Sequence, residues 1–230
     1  MKNYLILITI IFLVTGCSAN SATLIDREGD LIGNTYSDWK ASCGTKDYTN
    51  PSKGKYIFNV KNGEVGPCKS DKVKQDHGWG NKWDWSERSE VKTNSIDMWG
   101  KWEWSATIDI DRKCQPAYRN AIFQVHAGGY MESPPSFIGI NKWNMFRPPI
   151  GGKRKDSIAP VPLSPFKLTA IINATKKDVK VDYYVNDEFL TSTYTQGNYT
   201  NIFFKFGVYR VNSNCDIKQT YTNVKLQRVK

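Results

Sequence analysis

Beyond Arg27 the chain carries almost no helical spacing of apolar residues; it breaks into short alternating or β-branched runs separated by Gly, Pro, Asn and Asp. Ten such runs predict strands: Lys55–Val60, Glu87–Thr93, Gly100–Asp111, Ala121–His126, Ser136–Lys142, Lys167–Asn173, Val179–Val185, Glu188–Tyr194, Asn201–Val211 and Thr220–Arg228. Between two of them stands Val185-Asn186-Asp187-Glu188, a hairpin signal, because Asn and Asp tolerate the positive φ that a tight turn demands. Ten strands without a helix imply an all-β sandwich or jelly roll. No internal repeat and no second apolar core interrupts the pattern, so residues 28–230 read as one domain.

The first residues have a different character. Lys2 precedes an apolar run from Leu5 to Val14, the length of a signal-peptide core and short for a membrane span. The run ends in Leu13-Val14-Thr15-Gly16-Cys17-Ser18, which resembles a bacterial lipobox. That likeness implies removal of residues 1–16, lipidation of Cys17, a tether over residues 17–27, and export to the outer membrane as a lipoprotein, with Ser18 suiting that sorting. Four further cysteines, Cys43, Cys68, Cys114 and Cys215, form an even set in an exported chain and read as two disulfides. Three pairings are open; Cys43–Cys68 with Cys114–Cys215 is the expected one, since Cys114 and Cys215 each closely follow a strand. No CxxC pair or histidine cluster has the spacing of a metal site.

Lys and Arg outnumber Asp and Glu by 32 to 22, which favours a polyanionic partner, although a generally basic soluble protein has the same balance. Aromatics at 13% exclude a disordered chain. Two segments read as loops: Lys69–Trp85, with its Gly, Lys and Trp residues, and Asn144–Pro165, with five prolines and the cluster Lys153-Arg154-Lys155. A long loop of the second kind either covers a cleft or makes a solvated excursion.

Residues two apart on a strand share a face. Arg88, Glu90 and Lys92 therefore align on one strand, Gln124 and His126 on a second, and Phe203, Lys205, Gly207 and Tyr209 on a third. The opposite faces carry Phe123 with Val125, and Phe204, Phe206 and Val208, which read as core. Three strands thus each pair an apolar face with a face rich in Arg, Glu, Lys, Gln, His and Tyr.

These stretches stand as RSEVK, QVH and FFKFGVY. In this order they resemble the signature segments of the alginate lyases of polysaccharide lyase family 7 and their jelly-roll relatives. The likeness spans roughly residues 85 to 228 and includes Pro134-Pro135-Ser136-Phe137-Ile138 and the Asn186-Asp187 hairpin. It implies a single-domain β-jelly roll of two antiparallel sheets with a concave substrate groove. It also implies β-elimination from a 4-linked uronate polymer, alginate foremost, with no cofactor and a monomeric chain. Its catalytic positions fall on Arg88, Gln124, His126 and Tyr209: Arg88 and Gln124 stabilise the acidified carboxylate, His126 is the base and Tyr209 the acid. Glu90, Lys92, Lys205, His77 and Arg154 are expected substrate contacts, with Glu90 pairing to Arg88 or Lys205 and Lys205 helping Tyr209 cycle through phenolate. His77 has a plain surface role as its alternative.

Four departures from the family pattern bear on substrate identity. Lys92 stands for an arginine, Phe203 for a tyrosine, Phe206 for an alanine, and Arg210-Val211 for Asn-Gln. Valine inside QVH accompanies mannuronate-rich substrates in that family. Trp79, Trp83, Trp85, Trp99, Trp102, Trp104 and Trp143 are candidate sugar platforms, of which a minority are expected to meet ligand, because Trp102 and Trp104 share a face that can be core. The rival reading is a lectin-like jelly roll that binds acidic glycans without cutting them; it needs the basic face but not a His–Tyr pair. Nucleic acid is disfavoured by export and by the lack of any recognised motif.

Overall fold

The computed structural model describes residues 31–35, 38–68, 86–111, 114, 119–128, 134–141, 143–147, 149–150, 153–154, 157–163, 165–211 and 215–230. In chain order the strands begin with β1 (Leu31–Thr35), β2 (Trp39–Ala41), β3 (Tyr48–Ser52), β4 (Lys55–Val60) and β5 (Ser86–Thr93). Then come β6 (Gly100–Ile110), β7 (Arg119–Gly128), β8 (Ser136–Ile140), β9 (Phe146–Arg147), β10 (Pro149–Ile150) and β11 (Lys153–Arg154). The last five are β12 (Phe166–Ala174), β13 (Asp178–Val185), β14 (Glu188–Gln196), β15 (Asn201–Val211) and β16 (Ile217–Val229).

Two antiparallel sheets hold nearly all of them. The larger runs β14-β13-β12-β6-β16-β4-β3, with β1 also on β16, and the smaller runs β2-β5-β15-β7-β8-β9. This is the β-jelly roll expected of the chain, and each of the ten expected strands is present. The turn between β13 and β14 has Asn186 at φ 50° and Asp187 at φ 69°, the geometry its sequence demands. Both expected disulfides, Cys43–Cys68 and Cys114–Cys215, are formed.

The apolar faces meet between the sheets. Trp104 of β6 stacks on Phe123 of β7 with ring centroids 4.3 Å apart, while Phe206 of β15 packs edge-on against Tyr56 and Phe58 of β4. Each such aromatic, fully removed from water, stabilises the fold by about 1.5–3 kcal/mol. Phe204, Phe206 and Val208 are all completely buried, so the alternation read from the sequence orients β15 as expected. Trp104 is likewise core, and Trp102 is only half-buried, near Phe204, whereas Trp143 is mostly exposed.

One irregularity shapes the smaller sheet. The pairing of β15 with β7 slips between Phe206 and Tyr209, and that of β7 with β8 between Ala121 and Phe123. Gly207 sits in the slip at φ +138°, and a Cβ there would lie 2.8 Å from the Glu90 Cα, so no other residue fits without backbone movement. Tyr221, reaching across the core from β16, places its hydroxyl 2.8 Å from the Gly207 carbonyl and 3.0 Å from that of Ile122. The bulge is thereby pinned from behind.

The segment expected as a loop over residues 144–165 is partly ordered into strands. β9 pairs with β8, and β10 pairs with β11, bringing Pro149 opposite Arg154. Two-residue strands carry too little alternation to be read from sequence.

Candidate active site

β15 runs down the middle of the smaller sheet with β5 on one side and β7 on the other, and its register assembles the site. Tyr209 stands opposite Arg88, Gly207 opposite Glu90, and Lys205 opposite Lys92. On the other side Phe203 pairs with His126 and Lys205 with Gln124. The seven polar residues expected to share a face therefore do so, on the side of the sheet turned away from the core.

They also touch. Arg88 donates from Nη1 to Glu90 Oε2 at 3.2 Å, and Gln124 donates from Nε2 to Glu90 Oε1. His126 Nε2 lies 3.2 Å from Gln124 Oε1. The Arg88 guanidinium lies over the Tyr209 ring, 3.9 Å from its centroid, and Ser86 Oγ is 3.4 Å from the Tyr209 hydroxyl. Glu90, Arg88 and Gln124 are buried, so these hydrogen bonds are shielded from competing water and hold the side chains in fixed positions. Glu90 pairs with Arg88, one of the two partners expected for it.

His126 is half-buried and stacks on Phe203, centroids 5.3 Å apart and planes 21° from parallel. Burial first, and then the positive charges of Lys205, Arg88 and Lys92, hold its pKa well below the ordinary value of about 6.5. The imidazole is therefore neutral at physiological pH, the state a proton acceptor needs. Lys92 is also pulled down, by burial and by the neighbouring Lys40. Lys92 and Lys205 lie near the Phe203 ring, at 5.2 Å and 5.7 Å from its centroid, which gives that ring a place among the cations that a sequence reading cannot assign.

Lys40 was not among the expected contacts. On β2 it pairs with Lys92, while its neighbour Trp39 turns inward onto Phe206, so Lys40 extends the row Lys92–Lys205–Gln124 to the edge of the sheet. The signal was the alternation in Trp39-Lys40-Ala41, only three residues long. Two of the departures noted above, Phe206 and Arg210, turn out to face the core and are fully buried. They cannot touch a substrate on the open face, so their bearing is on packing. Arg154 lies on β11, in the hairpin with β10; His77 and Cys17 lie outside the described residues.

No protein-family model matches the chain, and no curated protein is similar to it in sequence. Solved structures are similar to it in fold. Alginate lyase AlgAT5 of polysaccharide lyase family 7 superposes over 83% of this chain and 94% of its own, at TM-score 0.52 and 15% identity. The marine family 7 alginate lyase AlyA1 from Zobellia galactanivorans does so over 85% and 97%, at TM-score 0.54 and 10% identity. A Trypanosoma rangeli sialidase matches 81% of this chain with 27% of its own length, at TM-score 0.53 and 13% identity. The shared feature is the jelly roll.

Proposed function

We propose that this protein is a polysaccharide lyase that cleaves a 4-linked uronate polymer, alginate foremost, by β-elimination. The observation that carries the reading is the hydrogen-bonded set Arg88, Glu90, Gln124 and His126 facing Tyr209 on the open sheet. A jelly roll like those of alginate lyases supports it.

The chemistry follows from what each group has left to give. Elimination requires that the C-5 proton be acidified, removed, and replaced by a double bond as the 4-linked oxygen departs. Gln124 spends one amide N–H on Glu90 and keeps the second for the uronate carboxylate; Arg88, ion-paired to Glu90, sets its positive charge beside that carboxylate. Both can stabilise the negative charge that accumulates on the carboxylate as C-5 loses its proton. His126, neutral, takes that proton. Tyr209, with the Arg88 guanidinium over its ring, delivers a proton to the leaving oxygen. Lys92, Lys205 and Lys40 set the sign of the substrate.

The same reading places the protein outside the cytoplasm, tethered by lipid at Cys17; mass spectrometry of the mature chain tests this, with an unmodified Cys17 as the overturning result. The enzymatic claim is tested by incubating the purified protein with a panel of polyuronates and following the ultraviolet absorbance of the unsaturated product. Reducing ends released without that absorbance indicate a hydrolase, and binding without cleavage indicates a lectin.

A further inference from the structure

Glu90 touches no position where a substrate proton moves, yet it is completely buried at the centre of the site. Its two oxygens are both occupied, one by Arg88 and the other by Gln124. We propose that Glu90 is a positioning residue: through the amide of Gln124 it fixes His126 as the Nε2–H tautomer, leaving Nδ1 as the atom that accepts the proton.

The argument is one of donors and acceptors. A carboxylate only accepts, so the end of Gln124 that faces Glu90 must be its NH2. The carbonyl end, Oε1, is then the one 3.2 Å from His126 Nε2. A carbonyl oxygen also only accepts, so the hydrogen between them belongs to Nε2. A doubly protonated ring would satisfy the same contact, but burial and the cations Lys205, Arg88 and Lys92 hold the imidazole neutral. A neutral imidazole has one N–H; the remaining lone pair is on Nδ1. Stacking on Phe203 holds the ring plane, so that lone pair has a fixed direction. Without the anion at position 90, Gln124 is free to turn its amide over. Its NH2 would then face the imidazole, draw the lone pair to Nε2 and put the hydrogen on Nδ1.

The tautomer stands on the hydrogen-bond geometry and the neutrality of the ring; its catalytic consequence rests on the lyase reading above. The experiment uses the full mature chain labelled with 15N, observed by long-range 1H–15N correlation of the imidazole at neutral pH. In the wild type, His126 is expected to show a protonated Nε2 and an unprotonated Nδ1. In Glu90→Gln it is expected to show a mixture of both tautomers. With a cleaved polyuronate as substrate, kcat of that variant is expected to fall in proportion to the lost Nε2–H fraction, about twofold to tenfold, with KM nearly unchanged, since a misassigned tautomer disables the base without loosening binding. A wild-type spectrum with the hydrogen on Nδ1 overturns the proposal, as does a Glu90→Gln spectrum that stays purely Nε2–H. Should Glu90→Gln fail to fold, Gln124→Leu serves instead. Leucine offers Nε2 no acceptor, so loss of the pure Nε2–H signal in that variant supports the relay while its persistence overturns it. If the wild type shows the Nε2–H tautomer but cleaves no polyuronate, the lyase reading fails and the tautomer assignment stands.

Discussion

Tyr209 and Arg210 are neighbours on β15, and opposite them on β5 stand Arg88 and Glu87, so the same two strands carry charge on both faces. Facing the core, Arg210 lies with Nε 2.5 Å from Glu87 Oε2, its Nη1 donates to the Cys114 sulfur at 3.0 Å and its Nη2 to the Val60 carbonyl at 3.3 Å. Glu87 uses its other oxygen to accept from the Gly63 N–H at 2.6 Å. Arg210 is fully buried, with no surface left for solvent or a ligand. On the open face, Arg88 and Glu90 make a comparable pair, but Gln124 retains an amide N–H and His126 a lone pair. The inner pair is closed and anchors β4, β5, β15 and the Cys114–Cys215 crosslink to one another. The outer set is equally well ordered but unfinished, and a ligand would complete it. Burial of charge is common to both; what distinguishes the outer set is that its unspent hydrogen-bonding capacity lies beside the half-buried His126, on a face that a ligand can reach.

The largest effect that separates the two faces is on turnover. His126→Ala and Tyr209→Phe should each lower the rate of unsaturated-product formation by about 10²–10⁴-fold, the range for loss of a general base or acid, with thermal midpoints close to wild type. Near-normal turnover in either variant removes that residue from the mechanism. On the core side the pattern should invert. Glu87→Ala leaves the Arg210 guanidinium buried and uncompensated, which costs about 3–5 kcal/mol of stability. Chemical denaturation should register that loss, while activity per folded molecule remains near that of wild type. If Glu87→Ala instead lowers kcat without lowering stability, the division between support and site is wrong.

How much of this division was legible in the sequence depended on strand length. The alternation in Phe203-Phe204-Lys205-Phe206-Gly207-Val208-Tyr209 is long enough to orient β15 unaided, and with it Tyr209 and Lys205. β2 and β9 to β11 are two or three residues long, and β3 contains Asn50 and Pro51, which read as a turn; none offers enough alternation to be recognised. Lys40 was lost with β2. Arg210 was visible only as a departure from a family pattern: the alternation that turns Phe204, Phe206 and Val208 inward extends to it, but nothing local supplies the partner that makes a buried arginine tolerable. That partner is Glu87, 123 residues away, arriving opposite it through sheet pairing. The pairing of Cys114 with Cys215 is legible because each closely follows a strand, which places the two within reach; their Cα atoms are 5.6 Å apart.

The pH dependence sharpens the comparison at the site itself. Because the folded pKa of His126 lies below its unfolded value, the unfolded chain binds a proton first as pH falls. The stability contributed by neutral His126 is thus fully present above about pH 6.5 and is lost as pH falls from there toward the depressed folded pKa. Wild type should lose thermal stability over that window more steeply than His126→Gln, which has nothing to protonate. The acid limb of kcat/KM, governed by the same base, should lie below the position of an ordinary histidine. An acid limb at or above the ordinary value contradicts the environment described for the ring.

The smallest expected effect concerns Lys40, at the outer end of the row Lys40–Lys92–Lys205. Adjacent strands lie about 4.8 Å apart, so the row spaces three cations across the sheet, from the exposed edge to the buried centre beside Gln124. Charge at the exposed end meets a polyanion through water and is screened within about 8 Å at physiological salt, and exposed pairs are worth at most about 1 kcal/mol. Lys40→Ala should therefore raise KM for a polyuronate only about twofold to fivefold, leave kcat unaltered, and lose its effect near 1 M salt, where the screening length is about 3 Å. Lys205→Ala, at the buried end between Lys92 and Gln124, should weaken kcat as well, and salt should not erase the loss. Neutral glucans or mannans, which present no carboxylate to the row, should be neither retained nor cleaved by any of these proteins. If Lys40→Ala and Lys205→Ala respond alike to salt, the row does not grade from solvent to site, and recognition of the polymer must come from elsewhere on the surface.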